Sequence, residues 1–349
     1  MVASAAIFAA LAVALLPATA GAFAKAVWGP IVRNGVNQFP VYHKLGVRIY
    51  QMDLDWSQAA PTRPADPTNP KDSAYHWPAA VAQALAAAAP YHMRVLLELI
   101  NAPVWADGGH AGPGWAPRNP LDFAHFAQAA AREYPHVHLW MIWGEPTKEG
   151  NFQPEPRVEP GEPLDAAQRA APHLYARMLN DAYGTLKAVS HRNLVIGGCT
   201  FTTGNINPLQ WLENLTLPNG RRPRMDMWAH NPFSYTPPVF AGPPSPFDEV
   251  QFSDLPELER WIQRYFHRTL PLFLSEFEIP TAPDDTFNFW VDPELAASWV
   301  REALRTSRRW HDIYALGWIN VYDDPPLETG GLLTANGTPK PDFYAFEHN

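Results

Sequence analysis

Two apolar stretches of the chain end on a carboxylate. His138-Leu139-Trp140-Met141-Ile142-Trp143-Gly144-Glu145-Pro146 closes on Glu145 directly before a proline, and Leu270-Pro271-Leu272-Phe273-Leu274-Ser275-Glu276-Phe277-Glu278 closes on Glu276, with Glu278 two residues on. A carboxylate left unpaired in apolar surroundings is costly, so an acid kept at the end of a buried strand marks a use for it. Two such acids in unlike environments, one neutral and one ionised, can protonate a leaving oxygen and meet the electron-poor carbon it leaves. Cleavage of a glycosidic bond with retention needs that pair, about 5 to 5.5 Å apart. His136-Val137-His138 suggests another chemistry, since alternate histidines on a strand can share a metal. Both stand at the start of their strand, the end away from Glu145. Asp107 and His110 fall in a long loop with no partner motif and read as solvated.

Strands must carry these acids to one place. Ala26–Ile31 reads as a first strand, Phe39–Leu45 as a short helix and Gly46–Trp56 as a second strand, β-branched at first and polar towards its end. A Pro- and Asp-rich loop (Ala59–Ser73) leads to the Ala-rich helix Pro78–Ala89, then to strand three, Arg94–Asn101. Asn119 caps a helix over Pro120–Tyr134 ahead of strand four. Leu174–Val189, with apolar residues at helical spacing, precedes strand five, Asn193–Cys199, and Met225–Ala229 is strand six. A capping box Asp254…Glu257 opens the helix Pro256–His267 before strand seven, and Pro293–Ser307 leads to strand eight, Tyr314–Val321.

This alternation of strand and helix, about eight times over, predicts a single (β/α)8 barrel. Helix-to-strand links are short (Tyr91-His92, Pro135-His136), whereas strand-to-helix links are long (Ala102–Arg118, Thr147–Ala171). Long loops on one face build an active site at the C-terminal ends of the strands, where Glu145 and Glu276 both fall.

The 349 residues, 46% of them hydrophobic, suffice for one such barrel, and the net charge of -9 argues against nucleic acid or an anionic membrane surface as partner. A neutral substrate is the easier fit, and there is no Gly-rich phosphate loop. Ala5–Ala22 is apolar and Ala-rich, with Ala18-Thr19-Ala20 or Ala22-Phe23-Ala24 as a cleavage site. It reads as a secretory signal over residues 1–24, or as an N-terminal anchor, ahead of a catalytic domain over 25–349. A secreted or extracytoplasmic protein is expected. Cys199, the only cysteine, lies in an apolar stretch and reads as a buried structural thiol.

The two acidic stretches carry a resemblance. Trp143-Gly144-Glu145-Pro146 and Leu274-Ser275-Glu276-Phe277 resemble the acid/base and nucleophile motifs of glycoside hydrolase clan A, nearest in pattern to families 39 and 5, and the likeness extends from Trp28 to Phe346. It implies a retaining O-glycosidase acting on a carbohydrate or glycoside without metal or cofactor. Glu145 on strand four is then the acid/base and Glu276 on strand seven the nucleophile. Glu278 competes for the second role, because residues two apart on a strand face the same way. Arg48 resembles a strand-two arginine that keeps the nucleophile ionised; otherwise it forms a structural ion pair with Glu98 or Asp53. Asn101 ends strand three, where substrate-binding residues are common. His230-Asn231-Pro232-Phe233-Ser234-Tyr235 resembles the segment that brings a His and a Tyr to the nucleophile. Trp318 matches the tryptophan that floors the sugar site, and Trp105 and Trp143 are further aromatic platforms.

Gly144 departs from the pattern. The clan usually places an Asn there, whose amide contacts the sugar 2-hydroxyl. Its loss means that another residue makes the contact, that the glycone differs there, or that the barrel is a weakened, carbohydrate-binding relative. A transglycosylase differs from a hydrolase only in the acceptor that reaches the intermediate.

Overall fold

A computed structural model describes residues 23–349 apart from 111, 113, 149, 156–157, 160–161 and 241–248. Eight strands form a closed barrel: β1 (Ala24–Trp28), β2 (Val47–Asp55), β3 (Arg94–Ile100), β4 (Leu139–Ile142), β5 (Leu194–Phe201), β6 (Met227–Asn231), β7 (Leu272–Phe277) and β8 (Ile313–Trp318). Each strand pairs in parallel with the next, and β8 returns to β1. The helices of six residues or more among the described residues are α1 (Phe39–Lys44), α2 (Ala79–Ala88), α3 (Pro120–Glu133), α4 (Ala170–Val189), α5 (Pro208–Asn214), α6 (Leu255–Phe266), α7 (Pro293–Arg309) and, after the last strand, α8 (Pro341–His348). The chain is a (β/α)8 barrel, as its alternation predicted.

Three local differences have physical causes. β1 starts at Ala24, which already pairs with Ala315, and Gly29-Pro30 ends it early, because proline offers no N–H to the ladder. Of the two cleavage sequences, Ala22-Phe23-Ala24 therefore reaches into the barrel; the apolar segment 5–22 lies outside the described residues. α5 was not expected from its seven residues, yet Asn207 and Gln210 form a capping box around Pro208 at its start. Before α6, the box is Gln251 with Asp254 rather than Asp254 with Glu257: a 3-10 turn over Phe252–Asp254 moves the first free N–H groups one turn earlier. Among the described residues no helix is long and apolar enough to cross a membrane.

The apolar residues separate into two layers. Val27, Val47, Leu97, Trp140, Leu274 and Trp318 face the helices, whereas Ala26, Ile49, Leu96, Met141, Ala229, Phe273 and Ala315 fill the inside of the barrel. Stepping two residues onward from the inner set reaches Trp28, Gln51, Glu98, Trp143, Asn231, Ser275 and Gly317, the layer at the C-terminal mouth.

Register shifts interrupt this period at four places, two of them towards the mouth. Between Leu316↔Leu274 and Trp318↔Phe277, β7 has one residue more than β8; between Gly197↔Trp228 and Thr200↔His230, β5 has one more than β6. An extra residue re-aims the side chains beside it. On β7 both Ser275 and Glu276 turn away from the helix layer that Leu274 and Phe277 occupy; on β5 Cys199 turns inward at φ +42°.

Candidate active site

A cavity of about 320 Å³ opens at the C-terminal mouth, within the size range of small-molecule sites. Asp53, Glu98, Glu145 and Glu276 line it from β2, β3 and the ends of β4 and β7, beside the rings of Trp28 and Trp143. A second hollow, lined by Asp55, Gln58, His76 and Pro78, adjoins it across Asp53, Ile100 and Asn101. Asn101, Trp143, Glu145 and Cys199 hold left-handed backbone, with φ of +61°, +66°, +41° and +42°. Such conformations cost energy outside glycine and collect where a side chain must be aimed.

Glu145 owes its position to the turn after β4. Trp143 anchors that turn by donating its indole N–H to the Asn151 carbonyl at 2.6 Å and meeting Phe152 edge to face. Pro146 disfavours right-handed helical backbone at the residue before it. The Glu145 carboxylate is buried and both oxygens are engaged: Oε1 accepts from Asn231 Nδ2 at 2.8 Å, and Oε2 pairs with Lys148 Nζ at 3.0 Å. Burial opposes the Lys148 charge, but the charge and hydrogen bond of Glu145 outweigh it and raise the ammonium above its ordinary value.

Glu276 is held differently. Its backbone N–H donates to Asn231 Oδ1 at 3.1 Å, so one Asn side chain bridges the two acids. Burial, then the neighbouring charge of Glu145, push the Glu276 carboxyl well above the usual range, while Lys148 pulls it down. Burial and the repulsion both favour the protonated form of Glu276.

Glu278 stands elsewhere. β7 ends at Phe277, so strand alternation no longer aims Glu278 beside Glu276; it is 1% exposed and accepts from Asn320 Nδ2 at 3.0 Å. Burial and Glu328 push it up to about 8. It does not line the cavity, whereas Glu276 does.

Asn101 lies at the cavity and donates to Asp55 at 2.9 Å. Four other expectations need correction. Arg48 is exposed at the second position of β2, roughly 17 Å along the strand from Asp53 at 3.3 Å per residue, too far for either the site or the ion pair. His230 is fully buried, with Nε2 on the Val250 carbonyl and Nδ1 on the Thr200 hydroxyl, each at 2.8 Å. A carbonyl only accepts, so Nε2 carries the proton and Nδ1 accepts; burial draws the imidazole down to about 4. It braces β6 against β5 beside Asn231. Tyr235 is 54% exposed, its hydroxyl on Glu249 at 3.1 Å, because Pro232 ends the strand alternation. Trp318 sits in register with Val27, faces the helices, and donates to the Gly330 carbonyl at 3.0 Å.

Trp143 lines the cavity but is 1% exposed and works as an anchor, as does Trp105, whose indole donates to the Ala60 carbonyl at 2.8 Å. Asp107 is buried rather than solvated: it accepts the N–H groups of Gly109 and His110 and closes its own turn. His110 stacks on Trp115 with ring centroids 3.7 Å apart. His138 contacts Asn193 at 3.0 Å at the start of β4, the far end of the barrel, and His136 is exposed.

Sequence reasoning missed Trp28, Asp53, Glu98 and Lys148 as site residues. The two-residue period would have found Glu98, one step beyond Leu96, and Trp28, one step beyond Ala26. Lys148, three residues after Glu145, had no periodic signal.

No family model matches the chain, and no curated protein matches it in sequence. Its fold does match solved structures. A family 39 glycoside hydrolase from Bacteroides cellulosilyticus WH2 is 18% identical with a TM-score of 0.66, over 93% of this chain and 62% of that one. A glucosidase from Croceicoccus marinus is 13% identical at 0.66, over 93% and 66%. A monomeric beta-xylosidase from Caulobacter crescentus CB15 is 16% identical at 0.63, over 93% and 67%. The chain thus shares the fold of glycoside hydrolases and spans 62 to 67% of the length of these three.

Proposed function

We propose that this barrel is a retaining O-glycosidase, with Glu145 as acid/base and Glu276 as nucleophile. The observation that carries the reading is Asn231: its amide N–H is on the Glu145 carboxylate and its carbonyl on the Glu276 backbone, so one side chain sets the spacing of the pair. Double displacement uses that spacing twice. Glu145 gives its proton to the leaving oxygen as a Glu276 oxygen bonds to the anomeric carbon and the glycosidic bond breaks. Water then loses a proton to Glu145, attacks the same carbon and releases Glu276.

The acids around the cavity disfavour a glycone with its own carboxylate and favour a neutral sugar, with Trp28 offering an aromatic edge. The apolar, Ala-rich segment 5–22 supports export. The test is intact mass after incubation with activated 2-deoxy-2-fluoro glycosides of several configurations, followed by peptide mapping. A stable adduct on Glu276 is expected and identifies the glycone. An adduct on Glu278, or none in folded protein with any sugar, overturns the assignment.

A further inference from the structure

Position 144 precedes the proposed acid/base and has no side chain. A Cβ there would stand 2.5 Å from Glu98 Oε1 and 3.1 Å from its carboxyl carbon. A side chain at 144 and the Glu98 carboxyl therefore compete for one volume, and in this chain Glu98 occupies it. Glu98 is 3% exposed, one step beyond the apolar layer on β3, and lines the same cavity as Glu145 and Glu276.

Its surroundings determine which of its atoms face a ligand. Asp53 is in register with Glu98 on β2, and its carboxyl group lies close enough to act on that of Glu98, an arrangement that favours a proton on the pair. Burial, then the charge of Asp53, raises Glu98 well above the usual range, whereas Asp53 is pushed only to about 6. Oε1 is the Glu98 oxygen on the side of Gly144, and the Cys199 thiol donates to it from 3.9 Å.

Resting on the glycosidase reading, we infer that Glu98 fills the place of the side chain absent at 144. It accepts a hydrogen bond from the sugar hydroxyl next to the anomeric carbon, and Asp53 positions it. The polarity is reversed relative to an amide that donates there, so the site selects a glycone able to donate at that carbon.

The test compares kcat/KM for an aryl glycoside of the configuration that the protein cleaves with that of its 2-deoxy counterpart. The wild-type protein should prefer the hydroxylated substrate on the order of 100-fold, the usual worth of one hydrogen bond that strengthens in the transition state. Glu98→Ala should erase that preference by lowering the hydroxylated substrate alone. Glu98→Gln, of the same shape, keeps the oxygen and should retain most of the preference. Gly144→Asn should lose activity by displacing the Glu98 carboxyl, and Glu98→Ala combined with Gly144→Asn should recover part of it. Equal losses on both substrates in Glu98→Ala, or a preference that survives it, overturn the inference. A wild-type protein that cleaves no glycoside refutes the glycosidase reading instead. Calorimetric titration with glucose and galactose against their 2-deoxy forms then decides Glu98 by itself: tighter binding of the hydroxylated sugars that vanishes in Glu98→Ala sustains it, and no difference overturns it.

Discussion

The ends of β4 and β7 present the same side chain to the same cavity and do it by different means. At β4 the strand stops at Ile142, two of the next three residues adopt left-handed backbone, and Glu145 arrives with a cation and an amide on its two oxygens. At β7 the strand continues, an inserted residue turns Glu276 inward, and its nearest fixed partner is met by its backbone. Glu145 has its counter-ion in contact; Glu276 feels that ion only at a distance and is raised by burial and by Glu145. Two identical acids are made unlike by their surroundings: burial and then Glu145 raise Glu276, so the proposed nucleophile must lose a proton before it can attack.

The sharpest way to break the comparison is to delete each acid in turn. Glu276→Ala should lower kcat by a factor on the order of 10⁴ or more, with azide restoring turnover as a glycosyl azide of inverted configuration, whereas Glu145→Ala should spare substrates with good leaving groups. Azide rescue of Glu278→Ala instead would transfer the role to a residue that the structure places outside the cavity.

Asn231→Ala attacks both ends at once. Losing the bridge should cost about 100- to 1,000-fold in kcat while leaving the melting temperature within a few degrees. A loss below tenfold would mean that the strands alone hold the acids.

Lys148→Met gives the smallest and most specific effect. Lys148 lowers the Glu276 pKa, so removing it leaves burial and Glu145 less opposed and moves the titration to higher pH. The acid limb of kcat/KM against pH, which reports the nucleophile becoming ionised in the free enzyme, should shift upward. An unmoved or lowered limb would show that the Lys148 charge does not reach Glu276.

Much of this architecture was legible because it rests on local chemistry. The alternation of strands and helices, the short and long links and the Asn119 cap were all visible in the residues, and the cap is present, accepting from the Leu121 N–H. Asn101 fell at the cavity because a residue at the end of a barrel strand has nowhere else to go. Arg48, His230, Tyr235 and Trp318 failed for another reason: a motif places a residue on a strand, but its face and its distance from the mouth depend on register. Trp318 faces the helices because it is level with Val27, and His230 points away from the cavity while its neighbour Asn231 points towards it.

The sequence by itself determined that the chain closes into a barrel and that acids stand at the ends of two of its strands, because hydrophobic period and loop length are written residue by residue. Which of those acids meet was decided only in the tertiary structure. An inserted residue in β7 turns Glu276 into the barrel, Asn231 reaches across from β6 to join Glu145 to Glu276, and the absence of a side chain at 144 is filled by Glu98 from β3. Each of these depends on pairing between segments distant in the chain, where a shift of one residue reverses the side of the strand a group faces.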